Sequence, residues 1–360
     1  MQKTMKFLDL KRQHMTIKKE IDQAINRVLD SNVYIGGPEV QGFEKEVADF
    51  LKIKYGVGVN SGTDALKLSL QSLGIKRGDE VITSPFTFIA SAEVIVDLGA
   101  KPVFADINPR TFNIDPLKIE EKITSKTRAI IPIHIFGQLA DMNSIVKIAR
   151  EHNLFIIEDA AQSLGVKGMG RGDLTCLSFF PSKNLGAYGD GGMIMLNNEK
   201  IKDKLLLLRN HGSSLKEKYL NLVLGTNSRL DAIQAAILRV KLKYLNQWNK
   251  KRKEKAEYYN SKLGGIVEVP FVEKDHVFNQ YTIKTRKRNQ LKNYLDKNGI
   301  PSMIYYPLPL HRQPVFKDMN YSDYPEADQA SKQVLSLPIY PELEQEEQDD
   351  VIKKIKSFYE

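Results

Sequence analysis

The chain has 360 residues, of which 42% are hydrophobic, so it is long enough to form one large domain and a smaller one. No segment approaches the roughly 20 consecutive apolar residues that a bilayer requires, and the first residues lack the pattern of a secretory signal. Cys176 is the only cysteine, which excludes an internal disulfide and a four-thiolate metal site. These features predict a cytoplasmic protein with no membrane partner.

The net charge is +9, from 53 basic and 44 acidic side chains. This is a mild excess for the length, and much of it lies in the lysine-rich segment 241–255, where apolar residues keep helical spacing. We interpret this segment as the solvated face of a helix. We therefore predict no nucleic-acid partner, although an anionic small molecule suits the charge.

Short segments rich in β-branched residues alternate with helical patterns in the first part of the chain. The predicted strands comprise residues 55–59, 81–83, 103–105, 129–135, 154–157 and 193–196. Predicted helices cover residues 64–73, where Ser61 and Asp64 form a capping-box pattern, and residues 142–150. This alternation predicts an α/β fold with a mainly parallel sheet and helices on its faces.

A longer helix is predicted from Ser228 to beyond Trp248, with Asp231 as its capping acid. After it the pattern changes to strands at 277–285 and 302–306 and helices at 289–297 and 345–358, which is typical of a smaller α+β domain. We predict a large domain at 1–245, which includes an N-terminal arm, and a small C-terminal domain at 246–360.

The segment YGVGVNSGTDAL, residues 55–66, predicts a strand, a glycine-bearing turn and a helix N-terminus. Free backbone N–H groups and the helix dipole favour a phosphate at such a turn. An ordinary strand-to-helix turn fits equally well in isolation. A dinucleotide site fits less well, because the glycine spacing is one residue too long and the next strand ends without a ribose-binding acid.

Two further motifs carry reactive side chains. FIIEDAAQS places Asp159 at the carboxyl end of a predicted strand, where α/β sheets bind ligands, although Asp159 also fits a helix cap. SFFPSKNLGAYGDGGM, residues 178–193, places Lys183 in a loop. Most loop lysines are simply solvated, but a desolvated lysine loses its proton and attacks aldehydes. A phosphate turn, a strand-end acid and a loop lysine in this order favour a pyridoxal phosphate (PLP) site.

With these motifs, and with SPFTFIA, NSRLDAIQAAIL, YPLPLH and LSLPIYPEL, the sequence resembles the DegT/DnrJ/EryC1/StrS family of nucleotide-sugar aminotransferases over nearly the whole chain. The resemblance implies a fold-type I PLP transferase similar to aspartate aminotransferase. It also implies a homodimer whose active sites are shared between the subunits.

The resemblance assigns a role to individual residues. Lys183 would bind PLP as a Schiff base and transfer protons, and Asp159 would pair with the pyridine nitrogen. The other cofactor contacts would come from the phosphate ligands Gly62, Thr63 and Ser178, from the ring contacts Phe88, Ala161 and Gln162, and from Asn227, which reaches the neighbouring subunit's cofactor. The substrate would be bound by Arg229, Tyr306 and His311.

Two features depart from the family pattern: Tyr305 stands where relatives often have histidine, and the segment between Gln162 and Ser178 is short. The motifs most resemble the branch that aminates UDP-linked 2-acetamido-3-keto-hexuronates, with glutamate as donor and lipopolysaccharide as one possible end product. A dTDP-linked 3-keto-6-deoxyhexose is the close alternative. There are three alternatives from other classes: a sugar dehydratase, a PLP-binding regulatory protein and a nicotinamide enzyme. The dehydratases of the family have histidine in place of Lys183.

Overall fold

The structure is a computed structural model that describes residues 5–214, 216–217, 219–273, 275–319 and 321–360. The α-helices of these residues are Leu10–Ser31 (α1), Gly37–Leu51 (α2), Gly62–Ser72 (α3), Ala90–Asp97 (α4), Pro116–Glu120 (α5), Met142–Glu151 (α6), Glu199–Leu208 (α7), Ala232–Leu242 (α8), Leu245–Leu263 (α9), Arg288–Lys297 (α10), Pro325–Gln333 (α11) and Gln345–Tyr359 (α12). The strands are Tyr55–Val59 (β1), Glu80–Thr83 (β2), Lys101–Phe104 (β3), Thr127–Ile131 (β4), Phe155–Asp159 (β5), Leu174–Ser178 (β6), Gly192–Leu196 (β7), Tyr281–Lys284 (β8) and Val334–Leu337 (β9).

The large sheet has seven strands in the order β1-β7-β6-β5-β4-β2-β3. The strands from β3 through β6 pair in parallel, whereas β7 runs antiparallel to both β6 and β1. The α/β fold with a mainly parallel sheet is thus confirmed, with one reversed strand. Because β7 is reversed, β1 again points in the same direction as β6.

Apolar side chains on the two faces of the sheet belong to two cores. Along β7, Met193 and Met195 pack in the core that contains α1, α2 and α8, while Ile194 and Leu196 pack in the core beneath α3. This alternation follows from the two-residue period of a strand, and it buries the centre of the sheet on both sides.

A second, two-stranded sheet forms beyond α9, where β8 and β9 pair antiparallel. Its core includes side chains from the end of α9 and from α10 and α12. The N-terminal helix contacts this part of the chain, because Arg12 Nη1 donates to Glu347 Oε2 in α12 at 2.7 Å. In the described part of the chain, none of the helices combines the length and the apolar character needed to cross a bilayer.

Several element predictions were wrong. The helix expected from Ser228 is two helices, α8 and α9, whose N-caps are Asp231 and Tyr244. Asp231 makes no side-chain capping bond, and the Ser228 hydroxyl donates to Asn60 Oδ1 at 3.3 Å. The strand expected at 129–135 ends at Ile131. Residues 302–306 form only an isolated bridge, between Met303 and Ser336. Elements that were not predicted are the strands β6 and β9 and the helices α1, α2, α4, α5, α7 and α11.

Candidate active site

Most of the predicted site residues lie at one edge of the large sheet. Strands β1, β2, β4, β5 and β6 all point the same way, so their carboxyl ends lie along this edge. Gly62 follows β1, Phe88 follows β2, Asp159 ends β5, Ser178 ends β6 and Lys183 lies in the loop after β6. This is the edge at which open α/β sheets bind their ligands.

The turn that was predicted to bind a phosphate lies where α3 begins. Ser61 is its N-cap and accepts a hydrogen bond from the Asp64 N–H at 3.1 Å, which confirms the predicted cap. A Cβ built on Gly62 would lie 2.6 Å from Ser178 Cβ, so the turn and the end of β6 are in direct contact. A Cβ on Gly192 would lie 2.3 Å from the Ser61 carbonyl oxygen. The close packing leaves the first N–H groups of α3, including that of Thr63, at this edge.

Asp159 is the last residue of β5 and is buried. Its Oδ1 accepts a hydrogen bond from the Ala161 N–H at 3.2 Å, and no helix follows, so Asp159 is not a helix cap. Burial raises the pKa of Asp159, while the Ala161 N–H and the charge of Lys183 act in the opposite direction. A cation beside this carboxylate therefore favours its ionised form.

A buried hydrogen bond between a histidine and a carboxylate involves Glu158, the neighbouring residue of β5. Glu158 Oε2 lies 2.9 Å from His134 Nε2, and both side chains are fully buried. His134 Nδ1 accepts the Ala140 N–H at 3.2 Å, so Nε2 carries the proton and donates to Glu158. Burial acts to raise the pKa of Glu158, but the bonds from His134 and from the backbone N–H groups of residues 172 and 170 lower it.

Lys183 lies in a tight loop between β6 and β7. Its N–H donates to the Phe180 carbonyl at 2.8 Å, and the Ala187 N–H donates to the Phe179 carbonyl at 2.7 Å. Burial lowers the pKa of Lys183, and the negative charge of Asp159 partly offsets this effect. Lys183 is half-buried, so its amine is less solvated than that of an exposed loop lysine and loses a proton more readily.

Gln162 and Tyr306 are brought together across the sheet edge. Gln162 Nε2 donates to the Tyr306 hydroxyl at 3.2 Å, while its Oε1 accepts the Phe136 N–H at 2.6 Å. Burial raises the pKa of Tyr306, so its hydroxyl stays protonated. Phe88, by contrast, is 57% exposed, which leaves its ring open to contact with a ligand.

The remaining predicted residues are Asn227, Arg229 and His311. Asn227 and Arg229 line a polar cavity of about 370 Å³ whose lining includes neither Lys183 nor Asp159. Arg229 Nη1 donates to Asn210 Oδ1 at 2.9 Å. His311 is buried with its Nε2 3.3 Å from Asp328 Oδ1. Asp328 belongs to α11, and the substrate-binding role of His311 stays a prediction.

Sequence reasoning missed the side chains that hold the Lys183 loop. Asn184 Nδ2 donates to Asn249 Oδ1 at 2.6 Å, which joins the loop to α9. Lys241 Nζ donates to the Gly186 carbonyl from α8. The expectation that segment 241–255 is a solvated face was wrong for Lys241 and for Arg252, which are 1% and 3% exposed. The available signal was that residue 241 lies four positions after Ile237, on the apolar face of its helix.

Comparison with known proteins identifies close relatives along the full length. The sequence model of the DegT/DnrJ/EryC1/StrS aminotransferase family matches residues 15–356. The chain is 48% identical over 366 residues to the pleiotropic regulatory protein of Geobacillus stearothermophilus, covering 98% of both chains. It is 41% identical over 365 residues to the dTDP-3-amino-3,4,6-trideoxy-alpha-D-glucose transaminase of Streptomyces venezuelae, covering 98% of this chain and 96% of the relative. It is 42% identical over 346 residues to the UDP-2-acetamido-2-deoxy-3-oxo-D-glucuronate aminotransferase of Pseudomonas aeruginosa, covering 94% and 96%.

The structure is also similar to a solved structure over nearly its whole length. The crystal structure of DesV from S. venezuelae in complex with a ketimine intermediate superposes with a TM-score of 0.96 at 41% identity, over 99% of this chain and 98% of that one. The predicted fold-type I class and PLP cofactor are confirmed by these likenesses. The chain therefore belongs to the DegT/DnrJ/EryC1/StrS aminotransferase family and is a PLP-dependent sugar aminotransferase.

Proposed function

We propose that this enzyme transfers an amino group from glutamate to carbon 3 of a UDP-linked 2-acetamido-3-keto-hexuronate. The observation that carries the transamination is a lysine of lowered pKa in a loop at the same sheet edge as a buried carboxylate. The substrate is supported by the motifs 178–193, 227–231 and 306–311 and by the similarity to the Pseudomonas enzyme.

The phosphate of PLP would be held by Gly62, Thr63 and Ser178. The fit is supported by the close contact of Gly62 with Ser178, which brings two of the proposed phosphate ligands together. The N-terminus of α3 adds unpaired N–H groups and the positive end of its dipole. Asn227 would reach the phosphate of the partner subunit's cofactor.

Asp159 would keep the pyridine nitrogen protonated, and Phe88 and Ala161 would contact the two faces of the ring. Gln162 would reach the phenolate oxygen. When bound, PLP withdraws electrons from the substrate carbon and so stabilises a carbanion there. Lys183 would provide the neutral amine that binds the cofactor aldehyde, and its Nζ would then carry the proton between the two reacting carbons.

Arg229 would bind the anionic sugar nucleotide, with Tyr306 and His311 lining the sugar pocket. We assign Arg229 to the partner's site, in a homodimer with shared active sites. An exposed apolar loop shortly before it supports this arrangement: Leu222, Val223 and Leu224 are 56%, 46% and 94% exposed, which is unusual for a surface that faces only water.

We also propose that the chain divides into a large domain, 1–245, and a small domain, 246–360. The packing of α9 supports this boundary. Its start, Leu245 and Trp248, belongs to the core beside the large sheet, whereas Ala256 and Tyr259 belong to the core of the two-stranded sheet.

The close alternative is a dTDP-linked 3-keto-6-deoxyhexose, since the Streptomyces transaminase is similar to nearly the same degree. A regulatory role is the second candidate, because the Geobacillus relative is called a pleiotropic regulatory protein. A dehydratase is disfavoured by the lysine at 183.

The test is to incubate the PLP-loaded protein and glutamate with a panel of UDP- and dTDP-linked keto sugars and to identify the products by mass spectrometry. We expect an aminated UDP-hexuronate and an equal amount of 2-oxoglutarate. An aminated dTDP-deoxyhexose as the only product would contradict the proposed substrate. Loss of water from the sugar without amination would contradict the transaminase assignment. The assignment would also fail if the protein converted no sugar of the panel and its cofactor did not react with glutamate.

A further inference from the structure

The loop that carries Lys183 is attached to two helices that contribute no cofactor contact. The first attachment is Asn184, next to the lysine. Its Nδ2 donates to Asn249 Oδ1 at 2.6 Å and to the Val277 carbonyl at 3.1 Å, and its Oδ1 accepts from Asn279 Nδ2 at 2.7 Å. These bonds hold the chain on the side of α9.

The second attachment is Lys241, in the last turn of α8 and on its buried face. The side chain is 1% exposed, and its Nζ donates to the Gly186 carbonyl. The same Nζ lies 5.0 Å from the ring centre of Tyr188 and 5.9 Å from that of Trp248. Aromatic faces attract a cation, so the two rings fix the ammonium beneath the loop.

Gly186 transmits this attachment directly to the lysine. A Cβ on Gly186 would lie 2.2 Å from the Pro181 carbonyl oxygen, so the chain at residue 186 packs on the chain at residue 181. Lys183 lies between these two points in the sequence. A shift of the Gly186 carbonyl therefore shifts the backbone from which the Lys183 side chain projects.

We infer that Lys241 is a positioning residue for Lys183: its ammonium holds the Gly186 carbonyl and thereby sets the Lys183 amine at the cofactor-binding edge. The inference rests on the proposed role of Lys183 as the lysine that binds PLP. It adds a residue outside the cofactor contacts, in a helix that the sequence pattern assigned only to packing and solvent.

Stability alone does not account for a lysine at this position. Burial lowers the pKa of Lys241 to about 8, with the charge of Glu342 acting in the opposite direction, so keeping the ammonium protonated in the core costs free energy. A methionine has similar length and no such cost, although it leaves the Gly186 carbonyl without its donor. These two effects oppose each other, so we expect Lys241→Met to change the melting temperature little.

The test measures attachment of PLP to the lysine. Apoenzyme is mixed with PLP, so that Lys183 Nζ condenses with the aldehyde with loss of water, and borohydride reduces the C=N bond to an amine that mass spectrometry locates. We expect Lys241→Met to slow covalent attachment at least tenfold, to shift the absorption spectrum of the bound cofactor and to lower kcat for transamination with little change in KM for glutamate. Lys241→Gln, which keeps an N–H donor without the charge, recovers part of the attachment rate.

Arg288→Met is the matched control, because Arg288 is another buried cation that donates to a backbone carbonyl, that of Val334, but lies in the small domain. We expect wild-type attachment rate and spectrum for it. A Lys241→Met rate within twofold of wild type, with an unchanged spectrum, would overturn the inference. The inference would also be overturned if both Lys241→Met and Arg288→Met slowed attachment in proportion to their loss of melting temperature. The same holds if Lys241→Gln recovered none of the attachment rate. If PLP attaches to a lysine other than Lys183 in the wild-type protein, the proposed function fails instead.

Discussion

Replacing Gly62 with alanine tests the phosphate turn at its most crowded point. The added Cβ would lie 2.6 Å from Ser178 Cβ and 3.1 Å from its hydroxyl oxygen, whereas carbon atoms pack at about 3.5 to 4.0 Å. Ser178 must therefore move by about an ångström. Overpacking of this kind costs roughly 1 to 3 kcal/mol, and the loss of a hydrogen bond to a charged phosphate costs about 1.5 to 3 kcal/mol.

We expect Gly62→Ala to weaken PLP binding by roughly ten- to a hundredfold, since each 1.4 kcal/mol is a factor of about ten. Helix propensity alone acts in the other direction, because alanine is favoured over glycine in a helix by up to about 1 kcal/mol. The assay is the Kd of PLP, obtained by titrating the apoenzyme and following the absorbance of the bound cofactor.

The double variant Gly62→Ala with Ser178→Gly separates crowding from loss of the hydroxyl. Ser178→Gly removes the Cβ that the new methyl would meet, so the double variant should bind PLP as Ser178→Gly does alone, and the two effects should not add. A Kd for Gly62→Ala within twofold of wild type would refute the close approach of the turn to β6 as a requirement for phosphate binding.

Asp159→Asn keeps the shape of the side chain and removes its charge, so we expect turnover to fall at least a hundredfold while PLP remains bound. Rate measurements and the absorbance of the bound cofactor check this. An unchanged rate would mean that Asp159 serves only to bind the local backbone. A mixture of Lys183→Ala and Arg229→Ala subunits should regain about a quarter of wild-type activity at limiting sugar. The reason is that about half of randomly formed dimers are mixed and each mixed dimer has one intact site. If mass analysis identified mixed dimers but the activity only equalled the sum of the two separate variants, Arg229 would belong to the site of its own subunit. Glu158→Gln should destabilise the fold by about 1 to 3 kcal/mol at neutral pH, because the amide has a single acceptor for His134 and the backbone donors. Since the pKa of Glu158 is lowered in the fold, its contribution is present above its ordinary value of 4.5 and is lost as the pH falls through the folded value. Urea denaturation across this range should therefore show the difference from wild type narrowing in acid, and a constant difference would contradict it.

Local patterns predicted those parts of the site that local physics determines. The cap at Ser61 was predictable because a serine before a helical pattern satisfies the first free N–H groups, whatever packs on that helix. The position of Asp159 was predictable because a continuous apolar run leads directly into it. Both features depend on neighbours within a few residues.

The reversed strand β7 and the aromatic partners of Lys241 were not predictable in this way. The direction of a strand in a sheet depends on the length and path of the connection that precedes it. The loop from Ser178 to Gly192 has no hydrophobic periodicity that would distinguish a parallel from an antiparallel β7. The strand before that loop was missed as well, because the polar residues Thr175 and Ser178 interrupt its apolar pattern. Lys241 is buried by Tyr188 and Trp248, which approach it from a loop and from the following helix, so its environment exists only in the folded chain.

The reversed strand also determines when the site is completed during synthesis. In the large sheet β1 lies at the end of the strand order, and its ladder partner is β7. A ribosome therefore releases the phosphate turn early but must add more than a hundred further residues, through Leu196, before β1 finds its strand. Pairing over such a sequence separation is slow, and an unpaired strand edge is prone to associate with other chains. We therefore expect the turn after β1 to stay exposed until β7 has been synthesised, because pairing with β7 both covers the edge of β1 and brings Gly192 against Ser61.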